Sequence, residues 1–127
     1  MGRERRGELI LVIEDDVEVR KFLCRVLELE GYRVLQAGGG EEGLKVARGN
    51  PITMLLLDLR MPEGDGWAVL GEMKEDPQLR DIPVVILSAS VGEEQREKAF
   101  SMGAAGYLVK PLSTASLRES IARVLKR

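Results

Sequence analysis

The 127-residue sequence contains no histidine. Imidazole-based catalytic triads, histidine-bearing zinc sites and phosphohistidine relays within the chain are therefore excluded. Its single cysteine, Cys24, has no intramolecular disulfide partner, and no cysteine cluster exists to hold zinc or an iron–sulfur centre. With no neighbouring signal for reactivity, Cys24 reads as an ordinary helix residue. No apolar run approaches the roughly 18 residues that a bilayer-spanning helix needs. The opening stretch MGRERRGE is basic and then acidic, without the apolar segment and cleavage site of a signal peptide. These absences point to a reducing, cytoplasmic setting with no membrane partner. Neither charge sign dominates either: 19 Lys+Arg against 21 Asp+Glu give a formal −2. Net charge is thus no source of affinity for nucleic acid or anionic lipid, and no direct nucleic-acid partner is expected. Chemistry is left to carboxylates, hydroxyls, amines, backbone groups or a recruited ion.

What the sequence does have is the length of one domain and 44% hydrophobic against 31% charged residues, the balance of a globular protein. Short apolar runs recur at Leu9–Ile13, Tyr32–Leu35, Met54–Leu57, Ile82–Leu87 and Tyr107–Val109. Several are apolar on successive residues, which implies strands buried on both faces of a sheet. Between them lie segments with helical spacing. The first sets Val19, Phe22, Leu23 and Val26 on one face and stops at Gly31; the last follows Pro111, with Ser113 as N-cap, and carries Leu117, Ile121, Val124 and Leu125. The intervening helices read as Glu41–Arg48, Gly66–Glu75 (with Asp65 as cap) and Gly92–Met102. Gly38-Gly39-Gly40 is a turn and lacks the Gly-Lys-Ser/Thr ending of a phosphate-binding loop. Met61, Met73 and Met102 read as packing residues. Five strands alternating with five helices predict a single (βα)5 domain, a doubly wound parallel sheet with helices on both faces. Residues 1–8 read as an N-terminal extension and 9–126 as the domain.

Open parallel sheets place ligands beyond the carboxyl ends of their strands. There the sequence has Glu14-Asp15-Asp16 after the first strand, Asp58 after the third, Ser88 after the fourth and Lys110-Pro111 after the fifth. Taken singly, Asp16 reads as a helix cap, Ser88 as a turn hydroxyl and Lys110 as a solvated amine. Together they form an acidic cluster with one hydroxyl and one amine. Crowded carboxylates ask for a cation, and oxygen donors without histidine or thiolate suit a hard ion such as Mg²⁺ that also seeks phosphate oxygens.

These motifs, LVIEDD, LLLDLRMPEGDGW, VVILSAS and GAAGYLVKP in that order and spacing, resemble the receiver domains of two-component response regulators, a flavodoxin-like, CheY-like family. The resemblance runs from about Leu9 to Lys126 and implies a strand order of 2-1-3-4-5. It implies that Asp58 is the phosphoacceptor, and that Glu14, Asp15, Asp58 and the backbone carbonyl of Arg60 hold Mg²⁺, for which Mn²⁺ can substitute. Ser88 stands where the family hydrogen-bonds the phosphoryl group, and Lys110 is the family's motif lysine. Tyr107 matches the aromatic position whose rotamer tracks activation, turning inward as Ser88 moves. Lys110-Pro111 is expected to be a cis peptide. Arg60 and Ser90 occupy positions that tune phosphoryl lifetime, and Trp67 packs near the start of the third helix.

The function implied is a phosphorylation-activated signalling switch of a His-Asp phosphorelay, a regulatory domain rather than an enzyme beyond its own phosphotransfer and dephosphorylation. The phosphodonor would be a histidine kinase or phosphotransfer protein, since the chain supplies no histidine of its own. The signal would pass through the surface of the fourth helix, fifth strand and fifth helix to a downstream protein target, or into a phosphorylation-dependent dimer. With no output domain following the fifth helix, protein–protein contact is the expected output. Two alternatives stay open: a receiver-like interaction module acting without phosphorylation, and an aspartyl-phosphate phosphatase. Against the second stands Arg60, where haloacid-dehalogenase-type phosphatases carry another aspartate.

Overall fold

The computed structural model describes residues 7–61 and 66–125. Runs of leucine and branched side chains on consecutive residues produce three strands, β1 (Leu9–Ile13), β3 (Met54–Asp58) and β4 (Val84–Ser88), in which every residue is buried. The less apolar β2 (Arg33–Ala37) and β5 (Gly106–Val109) flank them as half-buried edges. All pairings are parallel, in the order β2-β1-β3-β4-β5, as the resemblance implied. The helices are α1 (Val17–Leu29), α2 (Gly40–Gly49), α3 (Gly66–Glu75), α4 (Glu93–Ser101) and α5 (Thr114–Leu125).

Alternation along the strands divides the interior in two. Leu11, Ile13, Leu55, Leu57 and Ile86 face α2 and α3, meeting Leu44, Ala47, Val69, Leu70 and Met73, with Ala99 of α4 at the margin. Ile10, Val12, Met54, Leu56, Val85 and Leu87 face the other way, onto Leu23, Val26 and Leu27 of α1 and Leu117 and Ile121 of α5. Each such side chain contributes about 1.5–3 kcal/mol by leaving water, so the three central strands are the best-anchored part of the molecule.

Local signals fix the element ends. Asp16 caps α1 by accepting the N–H groups of Glu18 and Val19. Gly31, at φ +95, lets the chain leave α1 in the left-handed region. Ser113 Oγ accepts the Ser116 N–H at 3.0 Å at the start of α5. The expected Asp65 cap and the expected end of the domain at Lys126 lie outside the described residues, as does most of the 1–8 extension. Three expectations shift. Phe22 is exposed, because the buried face of α1 runs through Leu23, Cys24, Val26 and Leu27. Tyr32 precedes β2, since its N–H closes the end of α1 on the Leu27 carbonyl. Pro83 has no N–H for the ladder, so β4 opens at Val84, although the Pro83 carbonyl accepts from Leu55.

The start of α3 lies hard against the end of β3: a Cβ on Gly66 would stand 2.5 Å from both the Asp58 carbonyl oxygen and the Leu59 Cα. Both are backbone atoms that cannot swing aside. Gly66→Ala is therefore expected to destabilise the fold by roughly 1–3 kcal/mol, the usual cost of overpacking. Urea denaturation would read it as a lower midpoint with an unchanged slope.

Candidate functional site

The hydrogen-bond ladder continues one residue beyond three strands and thereby aims the side chains at the carboxyl edge. Glu14 N–H donates to the Ala37 carbonyl, Leu59 N–H to Leu87 and Lys110 N–H to Ser88. Asp58 and Ser88 close β3 and β4, which are neighbours in the sheet. The backbone thus brings Glu14, Asp58, Ser88 and Lys110 to one edge. Glu14, Asp58 and Ser88 are buried, and Asp15 and Lys110 are half-buried. The Lys110–Pro111 peptide is cis.

The Lys110 ammonium lies 3.1 Å from Glu14 Oε1 and 3.3 Å from Asp58 Oδ2. Glu14 Oε2 accepts the Asp16 N–H at 3.1 Å, and Asp58 Oδ1 accepts the Arg60 N–H at 3.2 Å. One carboxylate oxygen from each of Glu14, Asp15 and Asp58 falls within a cluster no wider than 4.8 Å. Burial, reinforced by the Asp58 charge and opposed by the Lys110 hydrogen bond, pushes the Glu14 carboxyl up to about 7. Burial pulls the Lys110 ammonium down, but its bonds to Glu14 and the charges of both acids outweigh that, leaving it above the ordinary lysine value.

Three carboxylates against one ammonium leave an excess of negative charge in a site made of oxygen donors. That donor set fits a hard divalent cation such as Mg²⁺ or Mn²⁺ and offers nothing to a soft one. Asp16 does not join: its exposed carboxylate is committed to capping α1. Beside the cluster a cleft of about 370 Å³ is lined by Leu59, Arg60, Trp67, Ser88, Ala89, Ser90 and Gln95. Trp67 packs against the core from the second position of α3, and Lys98 of α4 sits 4.3 Å over its ring. A slightly larger cavity, about 430 Å³ between α2 and α3, is lined by none of Glu14, Asp15 and Asp58.

Sequence reasoning missed two participants. Arg20 donates to the Glu14 carbonyl at 2.7 Å and to Gln36 Oε1 at 2.9 Å, tying α1 and β2 to the loop that bears the acids. Gln95 of α4 donates to Ser88 Oγ and, at 2.8 Å, to the Tyr107 hydroxyl. Neither lies at a strand end, so the rule that located the others passes over them. Cys24 is buried, which pushes its thiol up, away from the thiolate form.

Comparisons with known proteins point to one family. The response regulator receiver domain family matches residues 10–122. The chain is 36% identical over 120 residues to the "Probable transcriptional regulator ycf27" of Porphyridium aerugineum, covering 94% of this chain and 49% of that protein. It is 34% identical over 118 residues to the phosphate regulon transcriptional regulatory protein PhoB of Escherichia coli, covering 93% and 52%. The chain thus spans about half the length of the curated relatives it matches. Among solved structures, the chemotaxis protein CheY4 of Vibrio cholerae superposes with a TM-score of 0.88 at 26% identity, over 93% of this chain and 98% of that one.

Glu14 gives the site a pH signature. Its folded value near 7 lies above the ordinary 4.5, so the folded state holds the proton more tightly. Stability from this group is full below about pH 4.5, falls as pH rises towards 7, and its loss is complete above that. In metal-free buffer, stability is expected to fall between pH 5 and 8 more steeply for the wild type than for Glu14→Gln. Urea midpoints across that range check the difference, and millimolar Mg²⁺ should flatten the wild-type curve.

Proposed function

Because the chain belongs to the response regulator receiver domain family, the regulatory domains of two-component signalling, we propose that it is a phosphorylation-activated switch with Asp58 as acceptor. The observation that carries this reading is the grip of Lys110 on Asp58 and Glu14, 3.3 and 3.1 Å away, at the carboxyl edge of β1 and β3. An ordinary surface lysine has no reason to be half-buried between two buried acids.

The chemistry follows from charge. A carboxylate approaching a phosphoryl group meets repulsion, and catalysis consists of positioning and neutralisation. Asp58 attacks phosphorus; the bond from phosphorus to the donor breaks, and the donor leaves with its bonding electrons, giving an acyl phosphate on Asp58. Lys110 neutralises charge on the transferring group, and the Ser88 hydroxyl donates to one of its oxygens. Glu14, Asp15, Asp58 and the Arg60 carbonyl are the ligands proposed for Mg²⁺, which when bound supplies charge neutralisation of the phosphoryl oxygens. Water later cleaves the mixed anhydride and restores the carboxylate.

The donor proposed is a phosphohistidine on a kinase or phosphotransfer protein, with a small acyl phosphate as its chemical substitute. The new group adds about −1.5 to −2 of charge and fresh acceptor oxygens. We assign the resulting signal to the surface of α4, β5 and α5, to which Tyr107 belongs, read by a downstream protein or a second copy of the domain. A cytoplasmic setting follows from a cytoplasmic donor; among the described residues no helix is long and apolar enough to cross a membrane.

Incubation with acetyl phosphate and Mg²⁺ should add one phosphoryl group, located on Asp58 by peptide mass spectrometry. Asp58→Asn and chelation of the metal should each abolish the label, and a label elsewhere would overturn the assignment. Lys110→Ala should slow labelling by about 10²-fold, the usual loss on removing one transition-state donor, while leaving the label on Asp58.

A further inference from the structure

The helix next to the site is attached in an unusual way. Of the residues of α4, only Ala99 is buried and only Gln95 is half-buried; the rest are exposed. Gln95 and Ala99 stand four apart, one above the other on the same helical face. Towards the sheet, α4 therefore offers one methyl group and one carboxamide, with Lys98 reaching over Trp67 of α3, in place of the apolar stripe by which α1 and α5 are held.

That carboxamide makes a specific bridge. Gln95 Nε2 donates to Ser88 Oγ, at the end of β4, and to the Tyr107 hydroxyl of β5 at 2.8 Å. The Tyr107 hydroxyl donates to the Ser90 carbonyl at 3.0 Å, and the Ser90 N–H donates to Ser88 Oγ at 3.0 Å. The direction of the bridge is fixed by this ring of contacts. The Tyr107 proton is committed to a carbonyl, so the group facing its oxygen must be a donor, and that is the NH₂ end of Gln95. Two amide protons serve two hydroxyl oxygens at once.

The consequence for Ser88 is chemical. Its two lone pairs are taken by Gln95 and by the Ser90 N–H, and among the described residues nothing accepts its own proton. Ser88 is thus held as a donor, which is the role a phosphoryl group on Asp58 would require of it. The same amide ties that hydroxyl to Tyr107. If Ser88 moves towards a phosphoryl oxygen, Gln95 loses one partner, and its hold on Tyr107 and on the position of α4 weakens with it.

We propose that Gln95 is the positioning residue that sets Ser88 as a donor and couples it to Tyr107 and α4. The proposal deepens the phosphorylation reading and rests on it. Only two tyrosines occur in the chain, so ring-¹³C-tyrosine NMR yields two signals, with buried Tyr32 as an internal control for folding. The full chain is compared as wild type, Gln95→Ala and Gln95→Glu, before and after acetyl phosphate with Mg²⁺.

In unmodified Gln95→Ala the Tyr107 signal should move at least halfway to its position in the phosphorylated wild type, with Tyr32 unmoved. Acyl phosphate should then shift it by less than half the wild-type amount. Gln95→Glu replaces the double donor by an acceptor that captures the Ser88 proton. It should therefore label on Asp58 about tenfold more slowly than Gln95→Ala, the equivalent of one hydrogen bond. A Tyr107 signal in Gln95→Ala that matches the wild type in both states, or equal labelling by the two variants, would overturn the proposal. A wild type that takes no label on Asp58 defeats the phosphorylation reading instead, and the unmodified Gln95→Ala spectrum still decides whether the bridge holds Tyr107.

Discussion

Bringing Glu14, Asp15 and Asp58 within 4.8 Å of one another at the end of a sheet is costly, because two of them are buried and like charges are poorly screened there. The Lys110 ammonium, touching Glu14 and Asp58 together, is what makes the arrangement tolerable without added ions. It does so incompletely: burial, reinforced by the Asp58 charge, still raises the Glu14 carboxyl against the pull of Lys110, and one positive charge faces three acids. In the proposed function, the residual imbalance is the source of the site's chemistry. It gives the edge an appetite for a hard cation, and through that cation for an anion with many oxygens. A cluster with matched charges would be more stable and would bind neither.

The rest of the fold serves to impose that unfavourable contact. β1, β3 and β4 are buried along their whole lengths and clamped between two apolar layers, so the residues that follow them have little freedom to separate. Rigidity at the centre contrasts with looseness at one flank. Whereas α1 and α5 meet the sheet through leucine, valine and isoleucine, α4 meets it through Ala99 and a carboxamide. Apolar contacts are non-directional and respond weakly to a new charge nearby. A hydrogen-bonded contact is directional, and a competing acceptor can redirect it.

The same contrast explains what could be read in the sequence. Consecutive apolar residues such as Leu9–Ile13 and Met54–Leu57 have one comfortable environment, a strand covered on both faces, and the residue that ends such a strand must point at the edge where ligands bind. Asp58, Ser88 and Lys110 were legible for that reason, and the helix signals at Asp16, Gly31 and Ser113 act within a few residues of themselves. Strand order was not legible from periodicity, since it depends on which edges meet, and came only with the family resemblance. Arg20 and Gln95 were invisible for a related cause. A polar residue on an exposed helix looks the same whether it meets water or a hydroxyl from another strand, and only the packing of α4 beside β4 and β5 distinguishes them. Phe22 failed in the opposite direction: helical spacing admits two neighbouring faces on α1, and Leu23, Cys24 and Leu27 took the buried one.

The size of the polar contact bears on how such a switch behaves. Three hydrogen bonds, Gln95 to Ser88, Gln95 to Tyr107 and Tyr107 to the Ser90 carbonyl, tie α4 and β5 across the flank. At about 0.5–1.5 kcal/mol net apiece they hold the resting arrangement by about 1.5–4.5 kcal/mol. In the proposed switch, a hydrogen bond from Ser88 to a charged phosphoryl oxygen would contribute about 1.5–3 kcal/mol in the other direction. Carrying a population from 1:99 to 99:1 needs about 5.5 kcal/mol, more than that one bond supplies. The Ser88 contact alone thus moves the balance by one or two decades, and full conversion requires a further contribution, such as a partner that binds the altered α4 surface better than the resting one. In that case target binding and phosphorylation are thermodynamically linked, each strengthening the other by the same factor. In the proposed switch, a weak polar attachment for α4 would keep the two equilibria within reach of each other.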